Sequence, residues 1–236
     1  MPLKKLILIL TLNEEATIGK LIDELKLSFK NTDILVIDGY SKDKTADIVK
    51  EKNVDIIFLD KDYGIGLGVE VGIYKANIEN YDLLIRLDGD GQHLIEDVKE
   101  MVEKAIIDKT DLSIGSRFHE KATYTSSKKR ILGINILSKL LLILFRVRVL
   151  DCTSGCQILS KRLISNLANL KFFEYSEINI IWLTKILNLS VKEYHINMQS
   201  RKSGTSSFNF FRAFVYMFKN IIDLATSVNI DIKKIR

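Results

Sequence analysis

Residues 83–93 read Leu83-Leu84-Ile85-Arg86-Leu87-Asp88-Gly89-Asp90-Gly91-Gln92-His93. An apolar run of strand length stops abruptly in two carboxylates two residues apart, with an amide two further on. Side chains alternate along extended backbone, so Asp88, Asp90 and Gln92 fall toward one side. The intervening glycines let backbone and ligand come close. Hard oxygen donors in this pattern suit Mg2+ or Mn2+, whose remaining positions are commonly filled by substrate phosphates. An acidic turn capping a helix at Leu94 uses the same residue types, so the rest of the chain decides between the two.

Outward from this segment, short apolar runs recur at Leu6–Leu10, Ile34–Ile37, Ile56–Leu59 and Leu112–Ile114. They read as strands buried on both faces. Helical patterns lie between them. Ile18, Leu21, Ile22 and Leu25 recur at helix spacing behind Glu14 and Glu15, which read as an acidic first turn. Residues 43–52, 67–80 and 94–109 also read as helices. Alternating strands and helices imply a mostly parallel central sheet with helices on both faces and right-handed crossovers. Ligands of such sheets bind at the carboxyl ends of the strands. In the second half, residues 128–145, 160–168, 174–187 and 208–225 read as helices and 191–196 as a strand.

The 236 residues contain a single proline, Pro2, and no repeat or low-complexity tract, so one domain spanning 1–236 is expected. The net charge of +5 and a pI near 9.0 favour anionic partners. No nucleic-acid recognition motif accompanies the charge, and nucleic acid is not an expected partner. Cys152 and Cys156 fit neither a zinc pattern nor a disulfide framework, and read as half-buried thiols in a reducing compartment. The run Leu6–Leu10 is shorter than the ~7–15 residues of a secretory core, and no apolar stretch reaches the ~18–20 needed to span a bilayer.

Other polar groups sit where strands end. Asn13 and Glu14 follow the first strand; Asp38, Ser41, Asp43 and Thr45 follow the second; Gly115-Ser116-Arg117 closes the fifth. Arg201 lies in a polar loop. Guanidinium forks bind phosphate in bidentate fashion. The loop Gly64-Ile65-Gly66-Leu67-Gly68 lacks the third glycine of a dinucleotide fingerprint, because residue 71 is valine. It reads as a flexible turn before a helix. His93, His119 and His195 are scattered and form no zinc-hydrolase pattern.

In order and spacing these pieces resemble the family 2 inverting glycosyltransferases, and within them the dolichol-phosphate mannose synthase-like group of polyprenyl-phosphate sugar transferases. They are Leu10 to Glu14; Asp38-Gly-Tyr-Ser41-Lys-Asp43-Lys-Thr45; Asp88-Gly-Asp90-Gly-Gln92-His93; Gly115-Ser-Arg117; Asp151-Cys-Thr-Ser-Gly155; Glu177 in an aromatic segment; and Arg201 to Ser206. The resemblance covers roughly residues 5 to 210. It implies a Rossmann-like glycosyltransferase A-type fold. It also implies metal-dependent transfer of a sugar from a GDP- or UDP-sugar to a polyprenyl or dolichyl phosphate. By the resemblance, Leu10, Leu12, Glu14 and Asp38 line the nucleoside pocket, and Asp88, Gly89 and Asp90 hold ribose and diphosphate. Asp90, Gln92 and Asp88 take the Mg2+ or Mn2+, while Arg117 and Arg201 contact phosphates. Arg117 and Arg130 face the acceptor phosphate.

The chain departs from the family pattern at Leu10 and Leu12, usually proline and tyrosine, at Gly39, usually a second aspartate, and at Ser207, usually lysine. These positions bear on which base is recognised. If the acceptor is a hydroxyl, a carboxylate must take its proton, with Asp151 and Glu177 as the candidates. A lipid phosphate is already ionised and needs no strong base. Lys128-Lys129-Arg130, the apolar run to Phe145, then Arg146 and Arg148 suit a helix lying in a membrane interface. Residues 128–148 and 208–225 are therefore candidates for membrane or homodimer contact, the latter through its phenylalanines. The chain is expected to work peripherally on the cytoplasmic face of a membrane. The alternatives are a soluble transferase acting on a sugar hydroxyl and a nucleotide-sugar-binding protein without turnover.

Overall fold

The computed structural model describes residues 2–118, 128–170 and 176–199, with only the backbone of 128–130. Its strands are β1 (Lys5–Thr11), β2 (Asp33–Asp38), β3 (Asp55–Phe58), β4 (Leu83–Asp88), β5 (Leu112–Ser116), β6 (Gln157–Ser160) and β7 (Val191–His195). They form one sheet in the order β3-β2-β1-β4-β6-β5-β7. All pairings are parallel except those of β6, which runs antiparallel to both β4 and β5. The helices are α1 (Ile18–Ser28), α2 (Thr45–Glu51), α3 (Ile65–Ile78), α4 (Ile95–Asp108), α5 (Lys128–Phe145), α6 (Lys161–Leu167) and α7 (Ser176–Ile186).

The continuous apolar strands serve two cores. Leu6, Leu8 and Leu10 of β1 pack on one face with Val69, Ile73 and Ala76 of α3 and with residues of α5, α6 and α7. Ile7 and Ile9 pack on the other with Ile18, Ile22 and Leu25 of α1, Val49 of α2, and Val98 and Val102 of α4. Period-two alternation on a strand covered twice produces this division.

Four readings change. Helix α3 begins at Ile65 with Gly64 (φ 74°) before it, so Gly66 and Gly68 lie inside the helix and are not a flexible turn. A Cβ on Gly72 would come within 2.3 Å of Leu8 Cδ2; the glycines let α3 approach β1 more closely than side chains would allow. Glu14 and Glu15 precede α1, whose first turn holds no acid. Glu14 is tied down instead, its N–H donating to Thr45 Oγ1 at 2.8 Å. Strand β6 was not legible as a strand. Finally, Cys152 and Cys156 are fully buried, unpaired, and pushed up in pKa by desolvation.

Among the described residues no helix is long and apolar enough to cross a membrane. Helix α5 is apolar on two sides: Ile134, Leu137 and Leu141 are buried, while Leu132 and Ile143 are 62% and 73% exposed. It ends where Arg146 takes a left-handed φ of 53° and Val147 N–H returns to Leu141 O.

Candidate functional site

The sheet order reverses between β1 and β4, which places a crevice outside their carboxyl ends. Backbone bonds bind the three strand ends together: Gly89 N–H donates to Leu10 O and Gly39 N–H to Thr11 O, both at 2.8 Å. Thr17 Oγ1 reaches Gly89 O at 3.0 Å. The loops after β1 and β2 are stitched by Asn13 N–H to Ser41 Oγ and by Lys42 N–H to Asn13 Oδ1. These bonds bring Leu12, Glu14, Asp38, Asp88, Gly89, Asp90 and Gln92 to one rim at the strand ends. Leu10 differs: its side chain is buried against Gly68 of α3 and belongs to the core.

Asp38 is 2% exposed. Its Oδ1 accepts the N–H groups of Tyr40 and Ser41, while Oδ2 is buried with no partner. Buried acceptors are normally satisfied, so this oxygen is suited to an N–H or O–H donor of a ligand. Asp88 Oδ1 is likewise buried without a partner. Its carboxylate lies against Gly155, where a Cβ would fall 2.2 Å from Oδ2 and 2.6 Å from Oδ1.

Among the described residues no group of three or more His, Cys, Asp or Glu could hold a metal ion. A divalent ion at this rim would have to draw on a mixed set: carboxylates of Asp88 and Asp90, the amide oxygen of Gln92 and oxygens of a diphosphate. That set fits Mg2+ or Mn2+, which are commonly held by one or two carboxylates plus phosphate. Gln92 is held by its surroundings: its Nε2 donates to Gln199 O and its backbone carbonyl accepts Gln199 N–H. His93 is buried with neither ring nitrogen paired. Desolvation lowers its pKa against the pull of Asp88 and Asp90, with Arg117 adding to the lowering.

Arg117 closes β5 and is 5% exposed. Asp151 accepts from it three times, through its backbone N–H at 3.0 Å, Nε at 2.6 Å and Nη2 at 2.6 Å. Asp151 itself is fully buried. Glu193 of β7, which sequence reasoning missed, anchors the backbone N–H groups of Leu150 and Asp151. Desolvation raises the Glu193 pKa. Glu177, at the start of α7, pairs with the buried Arg86 of β4. The two carboxylates expected to serve as bases are thus both engaged by arginine. Arg86 was also missed, although a charge inside a buried apolar strand was its signal. Arg201 and residues 208–225 lie outside the described residues, as does the Arg130 side chain.

A methyl group at residue 155 would have to displace the Asp88 carboxylate. Gly155→Ala is therefore expected to cost about 10²-fold in turnover, the usual effect of an ångström-scale misplacement, with little change in thermal unfolding. Steady-state rates beside a melting curve check it; unchanged turnover would remove Asp88 from the site.

Residues 6–168 match the family model described as Glycosyl transferase family 2. An uncharacterised protein of Methanocaldococcus jannaschii is 31% identical over 220 residues, covering 89% of this chain and 88% of that protein. UDP-N-acetylglucosamine–dolichyl-phosphate N-acetylglucosaminyltransferase of Methanococcus voltae is 26% identical over 170 residues, 63% of this chain and 66% of that one. Among solved structures, glucosyl-3-phosphoglycerate synthase from Mycobacterium tuberculosis, in complex with Mn2+, UDP and glucosyl-3-phosphoglycerate, is similar with a TM-score of 0.66. It is 15% identical and the match covers 86% of this chain and 73% of that one. The likeness carries the fold, the Rossmann-like glycosyltransferase A-type arrangement.

Proposed function

The chain belongs to glycosyl transferase family 2 and is a glycosyltransferase, and on that premise we propose that it transfers a sugar from a UDP- or GDP-sugar to a polyprenyl or dolichyl phosphate. The observation that carries the choice of acceptor is the engagement of Asp151 by Arg117 and of Glu177 by Arg86. An acceptor hydroxyl needs a carboxylate to take its proton, and both expected candidates are committed to guanidinium groups. A phosphate oxygen needs no such group. The relative from Methanococcus voltae, named for a dolichyl-phosphate acceptor and a UDP-sugar donor, supports the same reading.

Asp38 and Glu14 bind the nucleoside end of the donor, and Asp88, Gly89 and Asp90 bind its ribose and diphosphate. Asp90, Gln92 and Asp88 would hold a divalent ion, which would supply positive charge to neutralise the leaving diphosphate. Asp151 aims the Arg117 guanidinium so that its positive charge faces the same phosphates. Arg201 and Arg130 complete the phosphate contacts. The exposed apolar side of α5, followed by Arg146 and Arg148, supports peripheral contact with an anionic membrane surface on the cytoplasmic side.

The test is radiolabel transfer from a panel of UDP- and GDP-sugars to a short polyprenyl phosphate, with Mn2+ or with EDTA. An organic-soluble product that disappears with EDTA is expected. Donor hydrolysis without lipid product would move the acceptor to a sugar hydroxyl, and use of no donor would leave a binding protein without turnover.

A further inference from the structure

Among the described residues eight non-glycine positions have positive φ. Seven of them, at Asn13, Asn31, Asn53, Asn80, Lys109, Arg146 and Asn188, lie between 51° and 59°, inside the ordinary left-handed well. Tyr40 stands apart at φ 83°. An aromatic residue there is strained, and such strain concentrates at ligand sites. The surrounding structure enforces it. Gly39 N–H is held by Thr11 O and the Tyr40 and Ser41 N–H groups by Asp38 Oδ1. The side chain that this strain presents is 41% exposed. It flanks Gly39, which lies against the Leu12 side chain. Two residues before it, at the end of β2, is Asp38, whose Oδ2 is buried without a partner.

We propose that Tyr40 is the stacking platform for the base of the nucleotide donor, so that ring and Asp38 together make the base subsite: one supplies a π-face, the other accepts an N–H of the base edge. The inference rests on the nucleotide-sugar reading above. Lys42 Nζ lies 3.0 Å from the centroid of the ring and caps one face, so the base takes the other. Phe58 and Tyr63 also carry a lysine over the ring, but neither has positive φ. Stacking tolerates any base; the selection among bases then belongs to Asp38.

The experiment measures calorimetric affinity for UDP, GDP and ribose 5-diphosphate, each with Mn2+, on wild type, Tyr40→Phe, Tyr40→Ala and Tyr40→Gly. The wild type is expected to bind a nucleoside diphosphate more tightly than the baseless ligand. Tyr40→Ala and Tyr40→Gly lose about tenfold in that affinity, leave ribose 5-diphosphate unchanged, and Tyr40→Phe retains the wild-type value. Glycine also relieves the backbone strain, so Tyr40→Gly melts no lower than Tyr40→Ala while binding no better. Equal losses on all ligands would make Tyr40 a loop residue only, and undiminished nucleotide affinity in Tyr40→Ala would overturn the proposal while leaving the nucleotide site standing. A wild type that binds no nucleoside diphosphate would overturn both.

Discussion

Asp90→Ala is expected to lower sugar transfer by about 10³-fold or more, the rate equivalent of losing several kcal/mol of charge stabilisation at a leaving diphosphate. Asp90 is half-buried on the loop after β4, and its Oδ1 accepts the Gln92 N–H at 3.1 Å. Removing that bond costs the fold about 1 kcal/mol, small beside the effect on turnover. The asymmetry is the diagnostic: the melting curve moves slightly and the reaction stops. Initial rates with increasing Mn2+ extend the test, because a mutant missing one ligand of a mixed carboxylate, amide and phosphate set needs more ion for whatever activity remains. Normal turnover in Asp90→Ala would sink the metal assignment and leave the family fold with a different electrostatic solution.

The contrast between β4 and β6 explains what the sequence disclosed. Strand β4 announces itself because five successive buried residues precede Asp88, and β1 and β2 repeat the pattern. Their parallel pairing fixes the switch point, and hence the rim, without any knowledge of side-chain contacts. Strand β6 has four residues beginning with Gln157, and its antiparallel insertion between β4 and β5 depends on a chain return no local pattern encodes. Roles at the site divide in the same way. Asp88, Asp90 and Gln92 are near neighbours in sequence, so their convergence is a local fact. The partners of Asp151 and Glu177 are 34 and 91 residues away. A carboxylate in an active-site cleft reads as a base until the arginine that holds it is seen. Tyr40 shows the complementary limit: its identity was visible, but the positive φ that makes it unusual belongs to the backbone alone.

Arg86 and Glu177 give the second large effect, on stability. Arg86 is 1% exposed in the middle of the sheet; its Nη1 donates to Ser176 Oγ at 3.2 Å, Nη2 to Glu177, and Nε has no partner. Glu177→Ala removes the carboxylate paired with the buried Arg86 guanidinium, so unfolding is expected to become easier by about 3–5 kcal/mol. For a chain of this size that corresponds to a fall in Tm on the order of 10 °C. The double replacement Arg86→Met, Glu177→Met is expected to recover most of the loss, because it removes the charge instead of stranding it. Chemical denaturation of the three proteins reads both expectations. Activity per folded molecule, measured well below the lowered Tm, separates this role from catalysis. A general base replaced by glutamine loses about 10²–10⁴-fold in rate with little change in stability, whereas a positioning residue replaced by glutamine loses stability first and keeps turnover close to wild type. A stable but inactive Glu177→Gln would return Glu177 to the chemistry, and with it a hydroxyl acceptor; an unstable but active one keeps the carboxylate in the scaffold and leaves the lipid phosphate as the acceptor that needs no base.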